Sequence, residues 1–231
     1  MQSPVPDEPP VTVARSTGPY GEVVLRRRGH GDAAVDELIV NGAFAMDSSE
    51  TSSERRLASL AYDLGPAGGR LLVGGLGLGY TAHEALHLPL AQIEVVEREP
   101  ALVQWARSGL TPILARVAAD PRVRLVVADV AEVLTASPLA AWDAIALDVD
   151  NGPDFLIHET NASLYFPDLL RTAYVRLAPG GRLAIWCQGP APALMLTLAA
   201  LDGSARQHLF HVGRGERRFA YAICTVDRPL P

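Results

Sequence analysis

The chain has no excess of basic residues, only two cysteines, and no apolar run near the ~20 residues that a membrane-spanning helix needs. Each shortage excludes something. With 20 Lys+Arg against 26 Asp+Glu, the formal net charge is −6, which argues against a nucleic-acid binder and its positive face for phosphates. Arg26-Arg27-Arg28 is a local exception. In an alternating strand, however, Arg26 and Arg28 share one face, and we read that face as solvated. Cys187 and Cys224 lie in apolar, strand-like surroundings, so reduced buried thiols are expected and a disulfide framework is not. The first ten residues lack a basic stretch followed by an apolar core, so no secretory signal is expected and a cytoplasmic location is. Residues 1–17, proline-rich and acidic at their start, are expected to be a disordered tail.

What is present fits a globular domain. The 231 residues, 48% hydrophobic and 20% charged, suffice for one well-buried domain with a small appendage. Residues 21–29 and 35–40 read as two strands joined by a Gly/Asp-rich turn. A helix is expected over 53–64, where Leu57, Leu60, Ala61 and Leu64 recur at helical spacing and Gly65 sits at the cap position. Residues 18–64 thus form a hairpin with a lead helix, and 65–231 a second unit.

In that second unit strands and helices alternate. Strands are expected at 70–74, 92–97, 123–127, 143–148, 181–187, 206–212 and 219–226. Helices are expected at 80–88, 99–107, 130–136, 162–177 and 191–202. This pattern predicts an α/β, Rossmann-like fold: a mostly parallel seven-stranded sheet with helices on both faces. The last two strands have no helix between them and should pair antiparallel at the sheet edge.

Ligands of such sheets bind at the carboxyl ends of the strands. The first strand runs into Gly75, Gly77 and Gly79, where backbone can approach a ligand closely. The second ends on Glu97, placed to accept hydrogen bonds from ribose hydroxyls. After the third comes Asp129, placed for an adenine amino group, with the Val130 amide for a ring nitrogen. The fourth ends on Asp148, nearest the reacting centre and able to take a proton, with Asp150 and Asn151 beyond it. An NAD site would place its third glycine where Tyr80 stands, and acids at two further tips would repel a pyrophosphate. A phosphate-free nucleoside such as S-adenosylmethionine fits better.

Other residues belong to the acceptor side. His158 lies in a stretch after the fourth strand that reads as a lid, and Tyr165 follows it. Trp186 and Gln188 flank the end of the fifth strand. His83-Glu84-Ala85-Leu86-His87 matches a zinc-protease pattern, but that site needs a third ligand and a cleft. We expect His83 and His87 to point away from the sheet and assign no metal.

From about residue 21 to 226 the chain resembles the spermidine synthase (polyamine aminopropyltransferase) family, built on the class I S-adenosylmethionine methyltransferase fold. The resemblance is carried by Asn41-Gly42, Gly75-Leu76-Gly77-Leu78-Gly79, Val95-Val96-Glu97-Arg98-Glu99-Pro100, Asp120-Pro121-Arg122-Val123 and Val127-Ala128-Asp129. It continues through Asp143-Ala144-Ile145-Ala146-Leu147-Asp148, Leu177-Ala178-Pro179-Gly180-Gly181 and Cys187-Gln188-Gly189. It implies a transferase acting on a small-molecule acceptor, and a homodimer joined through the N-terminal hairpin.

The chain also departs from that family. Leu78 stands where the family carries an aspartate holding the amine of decarboxylated S-adenosylmethionine. Ala45 replaces a glutamine, Glu54-Arg55 a Tyr-Gln pair, and Asp148-Val149-Asp150-Asn151 the acidic gate, while a late tyrosine-containing insertion is missing. Burying an ammonium without a counter-charge costs several kcal/mol, on the order that ion desolvation sets. The absence of acid at Leu78 therefore favours ordinary S-adenosylmethionine and methyl transfer to a small nucleophile. Two alternatives stand beside it: aminopropyl transfer, with Glu54, Asp148 or Asp150 as replacement cation partners, and a non-catalytic nucleoside-binding module.

Overall fold

The computed structural model describes residues 9–63, 65–149, 159–202, 204–214 and 217–231. Two sheets form. The first is antiparallel, in the order β1 (Val11–Gly18), β2 (Gly21–Arg28), β3 (Val35–Val40), β4 (Ala43–Asp47). Only β2 and β3 were expected from the sequence. Residues 11–17, read there as part of a disordered tail, belong to β1, which pairs with β2 from Val11 opposite Arg27 to Gly18 opposite Gly21. Strand β4 returns beside β3 through Asn41-Gly42, both at positive φ (51° and 78°), the two-residue turn whose twist suits a hairpin.

Alternation gives this sheet one buried face. Val23 opposite Val40 and Leu25 opposite Leu38 share it, and all four belong to a core cluster reaching into the larger sheet. On the same two strands, Arg26 and Arg28 both donate to Glu37 at 2.8 and 2.7 Å. The arginine run is thus largely neutralised by its neighbouring strand.

Helix α1 (Ser52–Tyr62) follows and buries Leu57, Ala58, Leu60 and Ala61. The second sheet runs β10-β11-β9-β8-β5-β6-β7. Its strands are β5 (Gly69–Gly74), β6 (Leu90–Glu97), β7 (Val123–Val127), β8 (Trp142–Leu147), β9 (Leu177–Cys187), β10 (Arg206–Arg214) and β11 (Arg217–Asp227). Strands β5 to β9 are parallel, and β11 and β10 add antiparallel at one edge. Helices are α2 (Tyr80–Ala85), α3 (Pro100–Arg107), α4 (Pro112–Ala119), α5 (Val130–Ala136), α6 (Pro167–Arg176) and α7 (Pro192–Asp202).

The sheet is buried on both faces, as parallel sheets are. Along β5, Leu71 and Val73 enter one core cluster and Leu72 the other, all fully buried. Arg182 of β9 fastens α1 to this sheet. Its guanidinium, itself buried, donates to Leu60 O at 2.9 Å and bonds both Asp63 and Asp227. Cys187 and Cys224 are both buried and form no disulfide, their thiols lying against each other. No helix among the described residues is long and apolar enough to cross a membrane.

Three local differences from the sequence reading have physical reasons. Helix α4 was not expected, although Thr111 caps it by accepting from Leu114 N at 3.2 Å, with Pro112 in its first turn. The helix expected over 162–177 is split. A short 3₁₀ segment covers Glu159–Tyr165, and α6 starts only at Pro167, because the residue before a proline is pushed to extended backbone, as Phe166 is. His83, expected to face outward, is buried, with its ring 5.4 Å from that of His87. Burial and the nearby Arg55 cation hold its pKa below the ordinary value, which keeps the imidazole neutral.

Candidate active site

Chain order makes the site. From central β5 the sheet grows through β6 and β7 on one side, then jumps to β8 and β9 on the other, so a crevice opens above the tips of β5 and β8. There Asp148 N donates to Gly74 O at 2.7 Å. Gly75 follows at φ +93°, and a Cβ on it would stand 2.1 Å from the Asp148 carbonyl oxygen. Only glycine fits between these tips.

The crevice deepens into a cleft of about 1050 Å³ that is partly open to solvent. Of the residues singled out from the sequence, Gly75, Gly77, Glu97, Asp129, Val130, Asp148, Glu54 and Trp186 all line it. Three do not. Gly79, although left-handed at φ +89°, packs against Leu114 and Ile113 of α4, so its small size serves helix packing. Tyr165 is buried in the core cluster on the other face, and Asn161 and Leu164 line the cleft in its place. Gln188 lies just past β9, outside the lining. Asp150, Asn151 and His158 fall outside the described residues.

The N-terminal sheet closes one side of the cleft, which the sequence reading missed. Val23, Leu38, Val40 and Met46 form an apolar wall, and Tyr20 stands at the rim. The alternation of Val23 with Leu25 and of Leu38 with Val40 was the available signal. It announced a buried face without saying what the face covers.

Glu97 is held by backbone. Its Oε1 accepts from Glu99 N at 2.8 Å and its Oε2 from Leu76 N at 2.9 Å. Burial raises its pKa despite these amides. A carboxylate offers about four acceptor sites, so capacity for a ribose hydroxyl remains. Asp129 caps α5 by accepting from Ala131 N at 2.8 Å through Oδ1, and still lines the cleft.

The glycine loop spends its donors internally. Gly75 N bonds Val96 O at 2.8 Å, and Leu76 N bonds Glu97. Leu78 N meets the Met46 thioether at 3.4 Å, and Gly79 N bonds Leu76 O at 2.7 Å. Four of the five amides of residues 75–79 are therefore engaged. The Leu78 side chain is buried in the core and does not line the cleft.

At the other end of the cleft, Thr81 Oγ1 donates to Asp148 Oδ2 at 2.5 Å and lies 3.2 Å from Glu54 O. Asp148 is pushed up to about 7, first by burial and then by the Glu54 carboxylate, against the stabilising bond from Thr81. Glu54 is itself buried and accepts from Ser53 Oγ at 2.7 Å. The cleft therefore sets two carboxylates against each other. This favours a bound cation and holds Asp148 near neutrality, where a proton acceptor works best.

No family model matches this chain. In sequence it is 31% identical over 223 residues to a polyamine aminopropyltransferase of Mycobacterium tuberculosis, covering 92% of this chain and 41% of that protein. It is 32% identical over 199 residues to polyamine aminopropyltransferase 2 of Streptomyces coelicolor, covering 85% and 34%. The chain thus spans about two fifths or less of the length of these curated relatives. A shorter stretch of 79 residues, 34% of the chain and 20% of the relative, is 38% identical to putrescine N-methyltransferase 3 of Nicotiana tabacum. Among solved structures, spermidine synthase from Thermotoga maritima superposes with a TM-score of 0.75 at 17% identity, over 93% of this chain and 72% of that one. Spermidine synthase in complex with the transition-state analogue AdoDATO gives 0.76 at 17% identity, over 96% and 75%.

Proposed function

We propose that this chain, which is spermidine synthase-like in sequence and in its class I methyltransferase-like fold, binds an adenosyl sulfonium nucleoside without a carboxylate tail and transfers its aminopropyl group to an amine. The single observation that carries this reading is the engagement of four of the five glycine-loop amides within the protein, opposite the Glu54 and Asp148 carboxylates. A tail carboxylate would find at most one unengaged loop donor there and would face Glu54 and Asp148. An ammonium would be attracted by both.

The loss of acid at position 78, which favoured methyl transfer in the sequence, weighs less in three dimensions. Leu78 faces the core, while Glu54 brings a carboxylate from α1 to Asp148. The curated relatives that match most of the chain are aminopropyltransferases, whereas the methyltransferase similarity covers about a third of it. Methyl transfer remains the second reading, favoured by that stretch and by Leu78 itself.

When bound, the donor supplies a carbon activated by its sulfonium. Glu97 would hold the ribose and Asp129 with Val130 the base. Asp148 would take one proton from the attacking amine as the new N–C bond forms and the C–S bond breaks, leaving a thioether nucleoside. Glu54 would hold an ammonium close by, and its presence would draw Asp148 back toward the ordinary carboxylate range.

Thermal-shift titration distinguishes the donors. Decarboxylated S-adenosylmethionine should stabilise the protein by about 2.7 kcal/mol at a hundred times its dissociation constant. Intact S-adenosylmethionine should bind at least about tenfold more weakly, a difference of about 1.4 kcal/mol, and NAD not at all. The preference should shrink in Glu54→Gln. Mass spectrometry after incubation with a diamine should find an aminopropyl adduct; a methyl adduct with intact S-adenosylmethionine would instead establish the second reading.

A further inference from the structure

We propose that Arg98 is a specificity-determining residue of the nucleoside site, a planar cation that stacks on the purine and is braced from behind by Tyr20 and Asn161. This rests on the adenosine reading above and goes beyond it, because it assigns the N-terminal sheet a part in base recognition.

Three separate elements meet here. Arg98 follows Glu97 directly and is the one Lys, Arg or His lining the cleft among the described residues. Its guanidinium carbon lies 4.0 Å from the centre of the Tyr20 ring, on the turn between β1 and β2. Its Nη1 donates to Asn161 Oδ1 at 2.7 Å, and Asn161 is buried in the 3₁₀ segment. Tyr20, Arg98 and Asn161 all face the cleft, as do Asp129 and Val130 at the next strand tip.

Tyr20 is itself fixed by sequence. Asn41 donates through Nδ2 to Tyr20 O at 3.1 Å and accepts from Glu22 N at 2.9 Å through Oδ1. A Cβ on Gly21 would stand 1.8 Å from that same Oδ1, so this turn requires glycine. The Asn41-Gly42 turn therefore sets the tyrosine, the tyrosine sets the plane of the arginine, and the arginine presents that plane at the rim of the nucleoside cleft. A guanidinium with one face on an aromatic ring attracts a second π system on the other. It would select an uncharged, electron-rich purine and disfavour a cationic one.

The test is equilibrium binding of 5′-methylthioadenosine, a thioether nucleoside with neither charge nor reactivity. Arg98→Ala should weaken it about tenfold, the mid-range of a partly desolvated cation–π contact. Arg98→Lys keeps the charge without the plane and should recover only part of the loss. Tyr20→Ala should weaken binding less, and should add almost nothing once Arg98 is already alanine, because the tyrosine acts through the arginine. In turnover, Arg98→Ala should raise the donor KM with kcat little changed. Wild-type affinity in both Arg98 variants, or independent effects of Tyr20 and Arg98, would overturn the proposal. A folded wild-type protein that does not bind the nucleoside would overturn the adenosine reading, and this inference with it.

Discussion

Asp148→Asn should lower turnover by about 10²–10⁴-fold, the usual contribution of a positioned general base, while making the ligand-free protein more stable at alkaline pH. The two effects share one cause. An unfolded Asp148 has the ordinary aspartate value of 3.8, and in the folded cleft burial and the Glu54 charge raise it to about 7. The folded state therefore holds the proton more tightly than the unfolded state does. As pH rises from about 4 through 7 stability falls, and the loss is complete above 7 and absent below 4. An amide at this position never ionises, so the variant escapes that cost. At pH 8 the gain should be a few kcal/mol at most, or about 5–10 °C in melting temperature for a chain of this size. It should close toward pH 4. For the wild type, kcat/KM should rise through a limb near pH 7 as the base ionises, and the variant should lack that limb. Equal melting temperatures at pH 8 would show that the carboxylate is not desolvated as described. Unchanged turnover would remove it from the chemistry.

Gly75→Ala should be among the most destructive glycine-to-alanine changes at the described residues, because its clash is with backbone. The added carbon would stand 2.1 Å from a backbone oxygen of Asp148, at a residue with φ +93°. Neither neighbour is a flexible side chain, so β5 and β8 would have to separate where Asp148 N also bonds Gly74 O. About 3–5 kcal/mol of destabilisation is expected from enforced overpacking plus left-handed strain, with nucleoside binding lost. Gly31→Ala provides the contrast. That glycine is also left-handed, at φ +60°, but nothing lies within 4 Å of its added carbon. Its cost should be about 1 kcal/mol, from conformation alone. Urea denaturation of the two variants measures both. Equal costs would mean that the strand tips are more loosely packed than the distances indicate.

Much of the fold was legible because local chemistry and tertiary structure agree. The continuous apolar run of β5, the caps of α3 and α5, and the hairpin of β10 and β11 all announce themselves locally. Helix α4 carried the same kind of signal in Thr111-Pro112 and was overlooked. Strand β1 was not legible. Its residues are small or polar apart from Val11 and Val13, largely exposed or half-exposed, and only pairing with β2 makes them a strand. The carboxylates at Glu97, Asp129 and Asp148 could be foreseen because parallel strands bring their tips to one edge in a known order. The contribution of Met46, Tyr20 and Arg98 could not, because a sheet distant in sequence folds over the crevice.

The sequence by itself determined the strand–helix alternation, the glycines at the first strand tip and the three acidic tips beside them. These follow from periodicities of two and 3.6 residues and from backbone conformations that few residue types tolerate. Only the tertiary structure decided that Leu78 turns into the core, that Glu54 stands against Asp148, and that four of the five loop amides are already engaged. Those outcomes depend on which elements pack over one another, and on the mutual desolvation of groups far apart in the chain. Packing and desolvation are properties of the assembled fold, and no local window of residues encodes them.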